Sequence, residues 1–128
     1  MYLSLIFWLA LFLPGYALLR RYAPDTLKSG LLGAIAVAHY AAGRYTEAIE
    51  RSLEAQRLRP GFQGSRRLLC ASLAQAGRID EARLLLATIR GEQPQLSLAW
   101  IRENVPYQTP ALMEQYLDGF RKAGLREE

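Results

Sequence analysis

The most reactive side chains of this 128-residue chain are His39 and Cys70, its single histidine and its single cysteine. A cysteine beside a histidine can act as an activated nucleophile in covalent catalysis. A zinc site needs three or four ligands of suitable type, so the sequence predicts no metal site. Both residues fall at positions that pack between helices. We therefore interpret Cys70 as a small core residue and His39 as a structural residue, with a partner contact as the alternative for His39.

The remaining polar motifs do not indicate an enzyme. Asp80 and Glu81 form an adjacent carboxylate pair, but they stand at a predicted helix start, where capping explains them. The glycines are scattered over turns and do not form a phosphate-binding loop. A net charge of +4 is too balanced for a nucleic-acid-binding surface. The sequence thus predicts a non-catalytic protein without cofactor, metal or nucleic acid.

The elements that carry these residues repeat with a period of 34 residues. Residues 42–48 read A-G-R-Y-T-E-A and residues 76–82 read A-G-R-I-D-E-A, and Pro60 matches Pro94 at the same offset. A period of this length is typical of helical solenoids, in which each unit buries its apolar face on its neighbours. Solenoids usually bind other molecules, so the period predicts a binding protein.

Apolar residues at spacings of three and four predict two helices in each unit. The first helix is expected over 28–42, with Leu31, Ala34 and Ile35 among its inward residues and Gly43 as its stop. Thr46 and Asp80 are expected to cap the second helix of each unit. Proline residues 60 and 94 are expected to follow the ends of these second helices.

The last third of the chain departs from the repeat. A partial unit is expected over 95–104, and Thr109-Pro110 is a strong start signal for a final helix that ends before Gly124. Such a terminal helix would cap the solenoid. The predicted fold is all-α, with an apolar N-terminal segment over 1–22, repeats over 28–62 and 63–94, and a partial repeat with a capping helix over 95–128.

The N-terminal segment is strongly apolar. Residues 2–19 contain no charged side chain and are followed by Arg20 and Arg21. Eighteen helical residues span about 27 Å, close to the thickness of a bilayer core. We expect a membrane anchor with the arginines and the repeats in the cytoplasm, and hence an inner-membrane location. A cleaved signal peptide, or an apolar helix docked over Gly30 and Val37 of a soluble cytoplasmic protein, is the alternative.

The paired helices with G-R-x-x-E-A at the turn and a proline near the end resemble tetratricopeptide repeats. The positions that carry the resemblance are Ala36, Gly43, Ala48, Pro60, Cys70, Gly77, Ala82 and Pro94. The ending over 105–125 is similar to that of multidomain proteins in which a class III nucleotide cyclase or a winged-helix regulator precedes such repeats. This second resemblance implies a stand-alone or truncated interaction module whose activity needs an absent upstream domain.

The tetratricopeptide resemblance also implies a binding site. In that family the first helices of the units line a concave groove, which we call the groove, that binds a protein or peptide. Transferred to this chain, the groove residues are Gly33, Val37, Tyr40, Arg67, Ala71 and Gln75. Two and a half repeats bury little core, so exposed ends favour partners or a homo-oligomer. Together with the apolar segment 2–19, the sequence predicts a protein-interaction adaptor tethered to a membrane, or a soluble self-associating module as the alternative.

Overall fold

The described residues of the computed structural model are 6, 14, 15, 17, 18, 21, 24–107 and 109–128. Within 24–128 they form six helices and no strand, which agrees with the predicted all-α class. The helices are α1 (Asp25–Ala41), α2 (Tyr45–Leu58), α3 (Gln63–Gln75), α4 (Ile79–Glu92), α5 (Leu98–Asn104) and α6 (Pro110–Ala123). Helices α1 and α2 form one hairpin, and α3 and α4 form the next.

The two hairpin turns have the same geometry. Gly43 and Gly77 adopt the left-handed conformation, with φ of +78° and +84°. The backbone N–H groups of Arg44 and Arg78 each donate to the carbonyl five residues earlier, at 2.9 Å in both turns. This is a Schellman motif, which satisfies the last carbonyls of a helix and needs a residue that tolerates positive φ. The predicted helix stops at both glycines are thus present.

The second helices begin earlier than predicted. Arg44 and Arg78 precede the first helical residues, and neither helix start has a side-chain cap. Thr46 and Asp80 lie inside the first turn, so their prediction as N-caps is wrong. The Schellman turn explains the difference, because it delivers the chain into helical geometry two residues after the glycine. The carbonyl of Arg44 already accepts from the Ala48 N–H at 3.0 Å.

Small residues at matched positions allow the paired helices to approach closely. Ala36 and Cys70 are equivalent in the two hairpins, as are Ala48 and Ala82, and all four are fully buried. The Cys70 thiol donates to the carbonyl of Ala82 at 3.4 Å, a contact that a larger residue at either position would not permit. Free cysteine acts here as a small core residue.

The buried face of α1 differs from the predicted one. Leu31 and Ile35 are 47% and 46% exposed, whereas Ser29, Ala36 and Tyr40 are completely buried. The Ser29 hydroxyl faces α2 and donates to the Ala55 carbonyl at 3.1 Å. Because α1 is apolar on most of its circumference, periodicity alone does not identify the side that packs, and the predicted inward face was wrong.

The C-terminal tail is hydrogen-bonded to the start of α5. Helix α5 is shorter than predicted, and its N-cap Ser97 accepts from the Trp100 N–H at 3.0 Å. The N–H groups of Leu98 and Ala99 donate at 3.0 Å to the carbonyls of residues 126 and 127. The tail therefore satisfies free donors at the start of α5. Helix α6 begins with Pro110 and is followed by Gly124 at φ +100°, as the sequence predicted.

The apolar stretch 2–19 lies largely outside the described residues. Within the described part of the chain, no helix combines the length and the hydropathy that crossing a membrane requires. Two described residues of the stretch, Ile6 and Leu18, are helical and are 62% and 57% exposed. The membrane anchor and the docked helix both remain predictions.

Candidate protein-interaction groove

The centre of the groove is occupied by helix α6. A Cβ placed on Gly119 of α6 would lie 2.8 Å from the Tyr40 hydroxyl and 2.9 Å from the carbonyl of Ala71. Real Cβ atoms do not come so close, so only glycine fits at this crossing. Tyr40 and Ala71 are both fully buried. The sequence predicted an open groove at these two residues, and α6 fills it.

A reciprocal pair of hydrogen bonds joins α1 to α6. The Tyr40 hydroxyl donates to the backbone carbonyl of Gln115 at 2.6 Å. The Gln115 side-chain amide donates back to the Tyr40 carbonyl at 2.6 Å and to the Tyr45 hydroxyl at 3.0 Å. The Tyr40 carbonyl lies in the last turn of α1 and also accepts from the Gly43 N–H at 3.0 Å. Gln115 therefore supplies a second donor to this carbonyl and ties the end of α1 to α6.

Gln75 holds α6 from the side of α3. Its amide nitrogen donates to the Gln115 carbonyl at 3.0 Å, and its amide oxygen accepts from the Lys122 ammonium at 2.7 Å. Lys122 also lies 3.3 Å from the carboxylate of Asp118, one helical turn earlier. Gln75 was predicted as a polar feature for a partner. In the structure its polar groups face α6.

Aromatic side chains join α6 to the hydrophobic core. The ring of Tyr116 makes edge-on contacts with Tyr107 at 4.9 Å, Phe120 at 5.0 Å and Tyr40 at 6.2 Å between centroids. Such pairs add stability beyond the area they bury. Burial raises the pKa of Tyr107 to about 12 and raises that of Tyr116 well above its ordinary value. Helix α6 is thus an integral part of the core.

Arg67 is the basic residue among the six predicted groove residues, and it contacts Trp100 of the partial repeat and Gln93 just before it. Its guanidinium lies over the ring of Trp100, 5.4 Å from the centroid, and donates to the Gln93 side chain at 3.4 Å. The cation–π contact orients the planar group. The buried Nε of Arg67 has no hydrogen-bond partner in the described part of the chain.

The part of the groove that α6 leaves open is a cleft of about 200 Å³. The cleft is lined by Gly30, Gly33, Ala34, Val37, Phe62, Gly64, Ser65, Leu68 and Tyr107. Its walls are apolar apart from the Ser65 and Tyr107 hydroxyls. Ser65 is 3% exposed, and its hydroxyl has no hydrogen-bond partner among the described residues. The cleft thus combines apolar walls with one buried, unpaired polar group.

The structure divides the six predicted groove residues into two groups. Gly33 and Val37 line the cleft, where they can be reached from solvent. The other four, Tyr40, Arg67, Ala71 and Gln75, contact α6 or the partial repeat. A role of any of the six in partner binding remains a prediction. Gln115 and Gly119 were missed, although a glycine inside an amphipathic helix signals a close approach of another element.

His39 and Cys70 have separate partners. The Nδ1 atom of His39 accepts from the Arg44 side chain at 2.9 Å, and the Cys70 thiol donates to a backbone carbonyl. Burial raises the pKa of Cys70 to about 12, so the thiol is not ionised near neutral pH and is a poor nucleophile. Among the described residues, no three His, Cys, Asp or Glu side chains are grouped as metal ligands.

Comparison with known proteins adds one family. The tetratricopeptide repeat family matches residues 39–101, which hold the last three residues of α1, all of α2, α3 and α4, and α5 up to Ile101. Together with the helical hairpins, this match supports a tetratricopeptide repeat protein. The match stops before residues 105–125, on which the resemblance to cyclase-containing proteins rests, so that resemblance remains a prediction. No curated protein and no solved structure matches the chain significantly.

The tetratricopeptide match also bears on function. Repeats of this family typically bind proteins and are typically not catalytic. In this chain the final helix lies within the groove that the resemblance predicted to be open.

Proposed function

We propose that the chain is a protein–protein interaction module of the tetratricopeptide type, and that it binds its partner through the cleft. The observation that carries the proposal is the division of the groove by α6. Helix α6 covers Tyr40 and Ala71, while Gly33 and Val37 remain open beside it. The remaining open groove is too small for a long helix lying along both repeats. It suits one or two side chains of a partner.

The chemistry of the cleft indicates an apolar partner segment. Phe62, Leu68 and Val37 provide apolar walls, and the glycine positions bring backbone instead of side chains to the surface. A partner helix presents apolar side chains at successive turns and can insert one of them here.

Filling the cleft tests this proposal. A Cβ at position 30 would meet nothing within 4 Å, so Gly30→Leu begins its side chain in open space beside the cleft. A photo-crosslinking residue at position 37 of the full chain is expected to form adducts with one protein in the source cells. Gly30→Leu should remove these adducts, whereas Gly91→Leu on α4, which also faces open space, should leave them unchanged.

Two results would contradict the cleft as the binding site. One is survival of the position-37 adducts in Gly30→Leu. The other is the same adducts from a photo-crosslinking residue at position 84, which is 73% exposed on α4 and does not line the cleft.

We also propose that residues 2–19 tether the module to the inner membrane, with the repeats in the cytoplasm. The support is the run of eighteen uncharged residues closed by Arg20 and Arg21, since positive charges flanking a membrane span favour the cytoplasmic side. Fractionation of cells that express the full chain tests it. We expect the chain in the membrane fraction after high-salt washing. Leu9→Arg with Leu11→Arg should release it, because each buried arginine costs about 2.5–3.5 kcal/mol of insertion free energy. Recovery of the unaltered chain without detergent would refute the tether.

A further inference from the structure

Helix α1 presents a regular apolar stripe to solvent. Its members are spaced alternately by four and three residues, and we call it the α1 seam: Leu27, Leu31, Ala34, Ala38 and Ala41. All five are exposed, and the two leucines are 43% and 47% exposed. Ile35 flanks the seam and is 46% exposed. A 4-3-4-3 spacing places side chains along one line of a helix, the arrangement that pairs with another helix.

The composition of the seam is unusual for a helix face that is exposed to solvent. Such a face normally carries polar or charged side chains. The seam contains no polar side chain from Leu27 to Ala41. A contiguous exposed apolar patch of this kind marks an interaction surface. The interaction must bury a helix face about 25 Å long, which is the length of the 17 residues of α1.

We propose that the α1 seam pairs with the α1 seam of a second copy of this chain, in antiparallel orientation about a twofold axis at Ala34. The seam has large leucine side chains at its N-terminal end and small alanine side chains at its C-terminal end. An antiparallel pair therefore sets Leu27 of one copy against Ala41 of the other, and Leu31 against Ala38. Each bulky side chain meets a small one, so the same surface is complementary to itself, as a twofold interface requires. A parallel pair would instead place leucine on leucine at one end and alanine on alanine at the other.

The charges at the ends of α1 favour the same orientation. Asp25 lies in the first turn, and Arg44 follows the last turn; both are exposed. Antiparallel pairing brings the end with Asp25 towards the end with Arg44 of the second copy. It also opposes the two helix dipoles, whereas parallel pairing would align them.

The size of the seam sets the strength of the association. One face of one helix buries less than the roughly 800 Å² per partner of a standard stable interface. The pair therefore belongs to the weak, concentration-dependent class of association. Holding both copies in one membrane would raise their effective concentration and strengthen the pairing. The proposal does not depend on the membrane tether. Ala34 also lines the cleft, so the seam and the cleft adjoin at this residue.

A cysteine at the twofold axis tests the pairing in the full chain. Ala34→Cys places two thiols across the axis, within the Cα separation of about 4.4–6.8 Å that a disulfide needs. The native Cys70 does not interfere, because it is fully buried. With the full chain in mild detergent under oxidising conditions, we expect Ala34→Cys to form covalent dimers at least about tenfold faster than Leu84→Cys. Leu84 is 73% exposed on α4, so it is the matched surface control.

A charge in the seam should abolish the cross-link. Leu31→Glu or Ala38→Glu in the Ala34→Cys background is expected to reduce dimer formation to the rate of Leu84→Cys. Leu84→Glu in the same background should have no effect. Leu31 and Ala38 are exposed, so these variants should keep the fold, and their helical circular dichroism should match that of the parent.

Three results would overturn the proposal. The first is equal cross-linking of Ala34→Cys and Leu84→Cys. The second is a dimer, measured by light scattering, that persists in Leu31→Glu, which would assign association to residues 2–19. The third is a monomeric Ala34→Cys whose thiol reacts with a maleimide in detergent but is protected in phospholipid vesicles, which would assign the seam to a lipid surface.

Discussion

Replacing Gly119 by alanine should destabilise the protein, although alanine is the better helix former. In a helix interior, glycine to alanine normally gains about 0.5–1 kcal/mol. At Gly119 the added Cβ would lie 2.8 Å from the Tyr40 hydroxyl, 2.9 Å from the Ala71 carbonyl and 3.0 Å from the Ala71 Cβ. Two of these three atoms, the carbonyl oxygen and the Cβ of Ala71, are fixed by the backbone, so they cannot move aside by a side-chain rotation.

The cost of the added methyl group exceeds the gain in helix propensity. Overpacking of a well-packed contact typically costs about 1–3 kcal/mol. Displacing the Tyr40 hydroxyl also weakens its 2.6 Å bond to the Gln115 carbonyl, a loss of about 0.5–1.5 kcal/mol. Set against a gain of up to about 1 kcal/mol, the net expectation is a loss of about 1–3 kcal/mol in the free energy of unfolding.

Urea unfolding of the full chain in mild detergent, followed by circular dichroism, measures this loss. Gly30→Ala is the matched control: it is the same substitution in a helix interior, and its Cβ meets nothing within 4 Å. We expect Gly30→Ala to stabilise the protein by about 0.5–1 kcal/mol, so that the two variants shift the midpoint in opposite directions. A shift in the same direction for both would refute the packing of α6 into the groove.

Three further predictions follow from the buried residues. Ala82→Leu, which overpacks the contact with Cys70, should lower the free energy of unfolding by about 1–3 kcal/mol in the same urea assay, and no loss would contradict the helix pairing. The Cys70 thiol should react with iodoacetamide at neutral pH only as fast as the protein unfolds, because burial raises its pKa to about 12; rapid labelling of the folded protein would contradict its burial. Burial likewise raises the pKa of Tyr107 to about 12, above the value of about 10 that a tyrosine has in an unfolded chain. The unfolded chain therefore loses this proton first, and the free energy of unfolding should fall as the pH rises from about 10 to 12. The fall should be shallower in Tyr107→Phe.

The turns of this fold are readable from the sequence, whereas the packing face of α1 is not. Gly43 and Gly77 are predictable because the backbone at a Schellman turn has positive φ, a local requirement that glycine meets best. The side of α1 that packs is decided by the partner helices. Ser29 takes a core position because the Ala55 carbonyl accepts its hydroxyl at 3.1 Å, which no hydropathy pattern encodes. Leu31, the more apolar residue, remains exposed.

The same difference between local features and contacts with other helices applies to the groove. Its open part was easier to predict than the part that α6 fills. The positions of Gly33 and Val37 follow from the repeat register alone, since both belong to α1 and face the second repeat. The loss of Tyr40 and Gln75 to α6 depends on a helix that lies outside the repeat. Gly119 was the available signal, because glycine inside a helix costs stability unless another element needs the space.

The filling of the groove changes how substitutions at its centre must be interpreted. In an open groove, a loss of binding in Tyr40→Ala would report on the partner. Here Tyr40 is fully buried, touches the rings of Tyr45 and Tyr116, and holds α6 through Gln115. Truncating a buried aromatic residue costs about 3–5 kcal/mol, a large part of the stability of a small domain. Lost binding in that variant would therefore report unfolding. A substitution at Gly30, where an added Cβ meets nothing within 4 Å, is a better test of recognition because it removes no core contact.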